Sequence, residues 1–160
     1  MDLVVGVGDM KVSADKETAI LTYALGSCLG ITVHDQIAGV GGLLHVMLPL
    51  STIDPAKAVQ NPYMFVDTGL PRLFLDCYKL GAKKERMVVK VAGGASSRKV
   101  EAEDMFQIGK RNFLMLRKLL WKNNVLLKAH DVGGSISRNV ALDVGSGRVV
   151  IRANGESRPL

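Results

Sequence analysis

Cysteine and aromatic residues are scarce in this sequence, and each scarcity excludes something. Only Cys28 and Cys77 carry thiols. They lie in unlike contexts, so no disulfide framework is implied, and a reducing cytoplasm is the simplest setting. Neither stands at metal-ligand spacing from another cysteine or a histidine, so no metal is expected. Aromatic residues make up 5% of the chain and form no stacking motif. The formal net charge is +6, but Lys and Arg are scattered, with Lys83-Lys84-Glu85-Arg86 as a small cluster. That distribution reads as a solvated face, or an attraction for acidic protein surfaces, and not as a nucleic-acid footprint.

Long apolar runs are also missing. None approaches the roughly 20 residues of a membrane-spanning helix, so direct membrane insertion is not expected. The N-terminus, Met1-Asp2-Leu3-Val4-Val5-Gly6, has neither a basic segment nor an apolar core of the secretory type. The glycine loops do not make a nucleotide site. Gly93-Gly94-Ala95-Ser96-Ser97 follows a strand-like run but lacks the lysine frame of a P-loop, and Val5-Gly6-Val7-Gly8 is too short for a dinucleotide fingerprint. No cofactor is expected. Repeats, low-complexity segments and internal linkers are absent, and 160 residues fit one domain over 1–160 with a loose tail from about Asn154.

What is present is a succession of short β-patterned segments with helical patterns inserted late. Residues 3–7 read as a strand, followed by a turn at Gly8-Asp9-Met10 and a polar loop over Ser13 to Glu17. Thr18 to Tyr23, Leu29 to His34 and Val40 to Met47 read as further strands. Gly39, Gly41 and Gly42 in the last suggest a close backbone approach. Ser51 to Asn61 is polar and reads as a mobile loop. Val66, Leu70, Leu73, Phe74, Cys77 and Leu80 recur at helical spacing up to Gly81, with Pro71 predicting a kink or a late start. Met87 to Ala92 is a strand, and a helix is predicted from Ile108 to Lys122 with Phe113, Leu116, Leu119 and Leu120 buried. Val125 to Ala129 resumes strand. Val140–Val144 and Arg148–Ile151 flank Gly145-Ser146-Gly147 as a hairpin. The fold class is α+β, a layered sandwich of mixed β-sheets with helices packed on the outside.

The chemistry concentrates on Gly26-Ser27-Cys28 and on His45. Cys28 opens one strand and His45 falls late in the next, with a turn near Asp35 to Gly39 between them. An antiparallel pairing brings the two to the same end, where an imidazole can take a thiol proton. Gly26 and Ser27 allow a sharp bend whose amides can stabilise an oxyanion. Thr22 offers a hydroxyl that can orient the imidazole. From the residues alone, Cys28 as a small buried strand residue and His45 as a satisfied core residue stay open. Cys77 reads as core, His34 as exposed and structural, and His130 as lying near a turn.

Taken together, these segments resemble the CheD family, the chemoreceptor glutamine deamidases. The likeness runs from about Val4 to Arg152. It rests on Thr22-Tyr23-Ala24-Leu25-Gly26-Ser27-Cys28, His45-Val46-Met47-Leu48-Pro49, Ala92-Gly93-Gly94-Ala95-Ser96, Ile108-Gly109-Lys110-Arg111-Asn112, and Asp131-Val132-Gly133-Gly134 with Arg138, all in order. The family often has threonine where Val132 stands, a departure outside the proposed triad. The resemblance implies a protein-glutamine amidohydrolase with Cys28 as nucleophile, His45 as base and acid, and Thr22 as third member. The same fold is similar to deamidating toxins of the cytotoxic necrotizing factor type. Substrate contacts are expected from Gly26, Ser27, Gly93, Gly94, Ala95 and Ser96. The implied partners are methyl-accepting chemotaxis receptors and a CheC-type phosphatase. The alternatives are a non-catalytic adaptor for the same partners and a different cysteine amidase or methylesterase.

Overall fold

Two mixed sheets lie face to face, and helices cover the outer face of one of them. The computed structural model describes residues 1–96 and 107–160. The first sheet contains β1 (Asp2–Val5), β3 (Ala19–Leu25), β8 (Arg138–Asp143), β9 (Val149–Ala153) and β10 (Glu156–Pro159), in that order. The second runs β2 (Asp9–Ser13), β5 (Val40–Val46), β4 (Leu29–Asp35), β6 (Met87–Gly93) and β7 (Leu127–Val132). β1 with β3 and β6 with β7 are parallel, and the other neighbours are antiparallel. Helices α2 (Val66–Lys79) and α3 (Ile108–Lys122) pack on the second sheet, with the short α1 (Pro55–Gln60) before them. This is the expected layered α+β sandwich.

The period of a strand decides which side chain enters which layer. In β5, Val40, Leu44 and Val46 join the core under the helices, while Leu43 joins the core between the sheets. Gly41 faces Leu142 and Val144 of the opposite sheet. His45 shares the parity of Gly41 and Leu43 and therefore points between the sheets. In β4, Leu29, Ile31 and Val33 face the helices. Gly30 faces Thr22 and Leu25 of the opposite sheet. Both strands are buried along their whole length because the second sheet is covered on both faces. Each fully buried leucine or isoleucine there contributes about 1.5–3 kcal/mol. A slip of one residue in β5 would turn His45 toward the helices and Leu44 toward the other sheet.

Several sequence expectations are corrected. Asp9–Ser13 is a strand, β2, and not a turn leading to a loop; each of its residues is half-buried, so no apolar alternation marks it. Ser51 to Asn61 is not a featureless loop. It holds a 3-10 turn at Ser51–Ile53 and helix α1, whose N-cap Asp54 accepts the Lys57 N–H at 3.1 Å with Pro55 in the first turn. Helix α2 does not start late: it begins at Val66 and carries Pro71 inside it. The tail expected to be loose forms β10, antiparallel to β9. His34 is buried and not exposed, with its Nε2 2.7 Å from the Val144 carbonyl. On α3, Leu116 and Leu120 are buried as expected, but Phe113 and Leu119 are only half-buried, and Asn112 is fully buried beside them. Ser97 of the expected polar loop lies outside the described residues. Among the described residues no helix is long and apolar enough to cross a membrane.

Candidate active site

The stretch Gly26-Ser27-Cys28 is where the chain leaves the first sheet and enters the second. A bulge in β3 prepares the crossing. The register with β8 shifts between Thr22 and Leu25, and Ala24 adopts a left-handed backbone (φ 58°). Bulges re-aim a strand in this way beside functional sites. The Asn139 side chain holds the Ala24 N–H at 2.9 Å. Ser27 then reaches solvent, while Gly26 and Cys28 are half-buried. Cys28 packs against the core between the sheets.

β4 and β5 pair with Gly30 opposite His45. Paired residues share a face, so His45 projects on the side of Gly30, toward the first sheet. Thr22 of β3 comes from that sheet to meet it. Its Oγ1 lies 2.7 Å from His45 Nδ1 and 2.7 Å from the Val5 carbonyl. A hydroxyl has one proton, and the Val5 carbonyl can only accept, so that proton goes to Val5. The Thr22 oxygen therefore accepts the Nδ1–H of His45. This sets the tautomer and leaves the lone pair on Nε2, which is buried and has no partner among the described residues. Gly30 makes room for the pair: a Cβ there would lie 3.3 Å from Thr22 Cγ2 and 2.9 Å from Leu25 Cδ1.

Electrostatics favour the neutral forms of both groups. Burial pushes the Cys28 thiol up, opposed by a hydrogen bond from its own backbone N–H. Burial also pulls the His45 imidazole down from 6.5. Nε2 thus keeps its lone pair through neutral pH, which is what a proton acceptor for a thiol requires.

The loop after β6 backs the turn. Gly94 N–H donates to the Cys28 carbonyl at 2.9 Å, and Ala95 N–H donates to the Gly26 carbonyl at 2.8 Å. Gly93, at φ 119°, lies so close that a Cβ on it would overlap the Cys28 carbonyl oxygen. Gly93, Gly94 and Ala95 are buried, so their smallness serves this internal approach, whereas Ser96 is exposed. The turn after β7 braces the loop in its own right. Buried Arg138 donates to the carbonyls of Gly93 at 3.1 Å and Gly133 at 2.7 Å, and its Nε pairs with Asp131 at 3.1 Å.

Two of the sequence-level candidates stand apart from this cluster. Cys77 is fully buried on α2, its thiol pushed up to about 12 by burial. His130 is exposed on β7 and stacks at a tilt on Phe113. One participant was missed. Asn112 on α3 donates from Nδ2 to the Ser27 carbonyl at 3.0 Å and to the Met47 carbonyl at 3.1 Å. A Cβ on Gly109, one turn before it, would lie 2.6 Å from the Gly94 backbone, so the absence of a side chain lets α3 close on the loop. A polar residue on the otherwise apolar buried face of the helix was the available signal.

The family described as CheD chemotactic sensory transduction matches residues 47–153. A Solibacter usitatus protein named "Probable chemoreceptor glutamine deamidase CheD" is 49% identical over 158 residues, covering 99% of this chain and 92% of that one. A Thermococcus kodakarensis protein of the same name is 41% identical over 158 residues, covering 98% and 96%. Among solved structures, a Neisseria meningitidis protein of the DUF152 family has a TM-score of 0.48 at 9% identity. That match covers 83% of this chain and 63% of the other.

Proposed function

The chain belongs to the CheD family, and from that premise we propose that it deamidates glutamine side chains of chemotaxis receptors by a thioester mechanism. Cys28 is the nucleophile, His45 the base and then the acid, and Thr22 the residue that orients the imidazole. The observation that carries this reading is the Thr22–His45 hydrogen bond, which leaves an imidazole lone pair buried between the sheets, in the layer whose core Cys28 packs against.

The steps follow from these atoms. Nε2 of His45 takes the thiol proton as the sulfur attacks the glutamine side-chain carbonyl. The carbonyl electron pair moves to oxygen, giving a tetrahedral oxyanion that backbone N–H groups of the 26–28 turn stabilise. Collapse expels ammonia, which takes its proton from His45, and leaves a thioester on Cys28. His45 then accepts a proton from water, which attacks the thioester; collapse breaks the C–S bond, releases glutamate, and the His45 proton returns to sulfur to restore the thiol. Both groups are neutral at rest, so proton transfer accompanies attack.

The substrate rim consists of exposed Ser27 and Ser96 and half-buried Gly26, backed by Gly93, Gly94 and Ala95. Exposed Met47 adds an apolar edge. The excess of Lys and Arg attracts an acidic helical face in the cytoplasm, an effect that weakens with salt. A CheC-type phosphatase occupying this rim would inhibit by competition. The test is mass spectrometry of receptors co-expressed with the wild-type chain or with Cys28→Ala. Glutamine-containing receptor peptides should gain about one dalton with the wild type only. Unchanged receptor masses, or equal gains with the variant, would overturn the reading.

A further inference from the structure

Every carbonyl of the Gly26-Ser27-Cys28 turn is held from inside the protein, two by backbone amides and one by a side chain. Ala95 N–H holds Gly26, Gly94 N–H holds Cys28, and Asn112 Nδ2 holds Ser27. The second proton on that nitrogen goes to the Met47 carbonyl, just beyond the strand that carries His45. Both partners are carbonyls and can only accept, so the amide orientation of Asn112 is forced. Asn112 is fully buried. The two backbone donors are available to any sequence with this loop. The third exists only because residue 112 is asparagine.

Peptide planarity extends this contact to the reacting atoms. In a trans peptide the C=O and the following N–H point in opposite directions. Holding the Ser27 carbonyl against α3 therefore directs the Cys28 N–H away from the helix. We propose that Asn112 is a positioning residue for deamidation, which aims the Cys28 N–H at the oxygen that becomes anionic when Cys28 attacks. The inference rests on Cys28 being the nucleophile. In the attack, the S–C bond forms, the carbonyl π pair moves to oxygen, the thiol proton passes to His45, and the Cys28 N–H hydrogen-bonds the new oxyanion.

Two rates separate this role from a structural one. Alkylation of Cys28 by iodoacetamide needs the sulfur but forms no oxyanion. Asn112→Ala should lower kcat on a receptor fragment at least tenfold, toward the roughly 100-fold cost of losing an oxyanion donor. KM and the alkylation rate should stay near wild type. An unchanged kcat, a change in KM alone, or a parallel fall of kcat and alkylation would each overturn the proposal. Should Asn112→Ala not fold, the wild-type chain decides by a different route. A receptor peptide carrying an aldehyde in place of the glutamine amide forms a thiohemiacetal with Cys28. The Cys28 amide proton should then shift downfield by NMR, and an unmoved resonance would count against the aim of that N–H. If wild type itself converts no glutamine, or Cys28→Ala stays active, the mechanism fails first; if both controls hold and Asn112→Ala turns over normally, only the positioning role fails.

Discussion

Thr22 and His45 belong to different sheets, yet their side chains meet at 2.7 Å, and the Thr22 proton is already committed to Val5. The contact ties the two layers of the sandwich together at the point where the chain crosses between them. It also selects the imidazole tautomer. Removing the hydroxyl without changing shape removes both effects, which stability and turnover report separately. Thr22→Val should cost about 1–3 kcal/mol of stability through the unpaired buried N–H, and lower kcat roughly 10- to 100-fold because the imidazole loses the partner that fixes its tautomer. Thr22→Ser should recover most of the loss. Steady-state kinetics on a receptor fragment provide the check, and a Thr22→Val enzyme as fast as wild type would remove Thr22 from the mechanism.

The two thiols should separate cleanly. Cys28→Ala is expected to be inactive with an unchanged melting temperature. Cys77→Ala, in the core under α2, should keep its turnover and lose about 1–2 kcal/mol of stability through a small cavity. Urea melts and activity assays on the same samples distinguish the outcomes, and an inactive but fully stable Cys77→Ala would contradict the assignment.

The pH dependence follows from burial. The His45 pKa lies below its ordinary 6.5, so the imidazole stays a competent base to lower pH than a solvent-exposed histidine. The acid limb of kcat/KM should therefore fall below 6.5. The Cys28 thiol is raised above 9.0, so its alkylation by iodoacetamide should still be accelerating at that pH. A plateau of alkylation at neutral pH would instead reveal a preformed thiolate–imidazolium pair.

At the far end of β4, Asp35 is fully buried and pairs with Arg86 at 2.9 Å. Burial alone would raise its pKa, but backbone N–H donors from Ala38 and Lys83, with the Arg86 guanidinium, outweigh it and hold the carboxyl below 3.8. A depressed folded-state pKa contributes stability above the unfolded value, and that contribution is lost as pH falls through the folded one. Asp35→Asn should thus cost about 3 kcal/mol at neutral pH. The gap from wild type should narrow in acid, below 3.8. Urea unfolding at both pH values tests this, and an equal gap at each would refute it.

Gly93 is held to its backbone shape by φ 119° and by the Cys28 carbonyl beside it. Gly93→Ala should displace the 26–28 turn, abolishing turnover and destabilising the fold by more than the roughly 1 kcal/mol of an ordinary glycine substitution. Retained activity with a normal melting curve would show that the loop can retreat without disturbing the turn.

Local chemistry was legible along the chain. Apolar and β-branched runs marked β3, β4, β5 and β6, the helical stripe marked α2 and α3, and alternation around the Gly145-Ser146-Gly147 turn marked the hairpin of β8 and β9, because each pattern is set by neighbours a few residues away. The signals for α1 were also present in Asp54-Pro55, although the polar composition concealed them. β2 and β10 had no such mark. One is evenly half-buried and the other wholly exposed, and both exist because a partner strand offers free backbone groups. The same division holds at the site. Cys28, His45 and Thr22 could be named from residue type, turn chemistry and family resemblance. That Thr22 reaches His45 across two sheets, and that Asn112 holds the carbonyl before Cys28, depends on contacts between residues remote in sequence. Those contacts follow from sheet register and from the close approach of Gly94 to Gly109, and no local pattern encodes either.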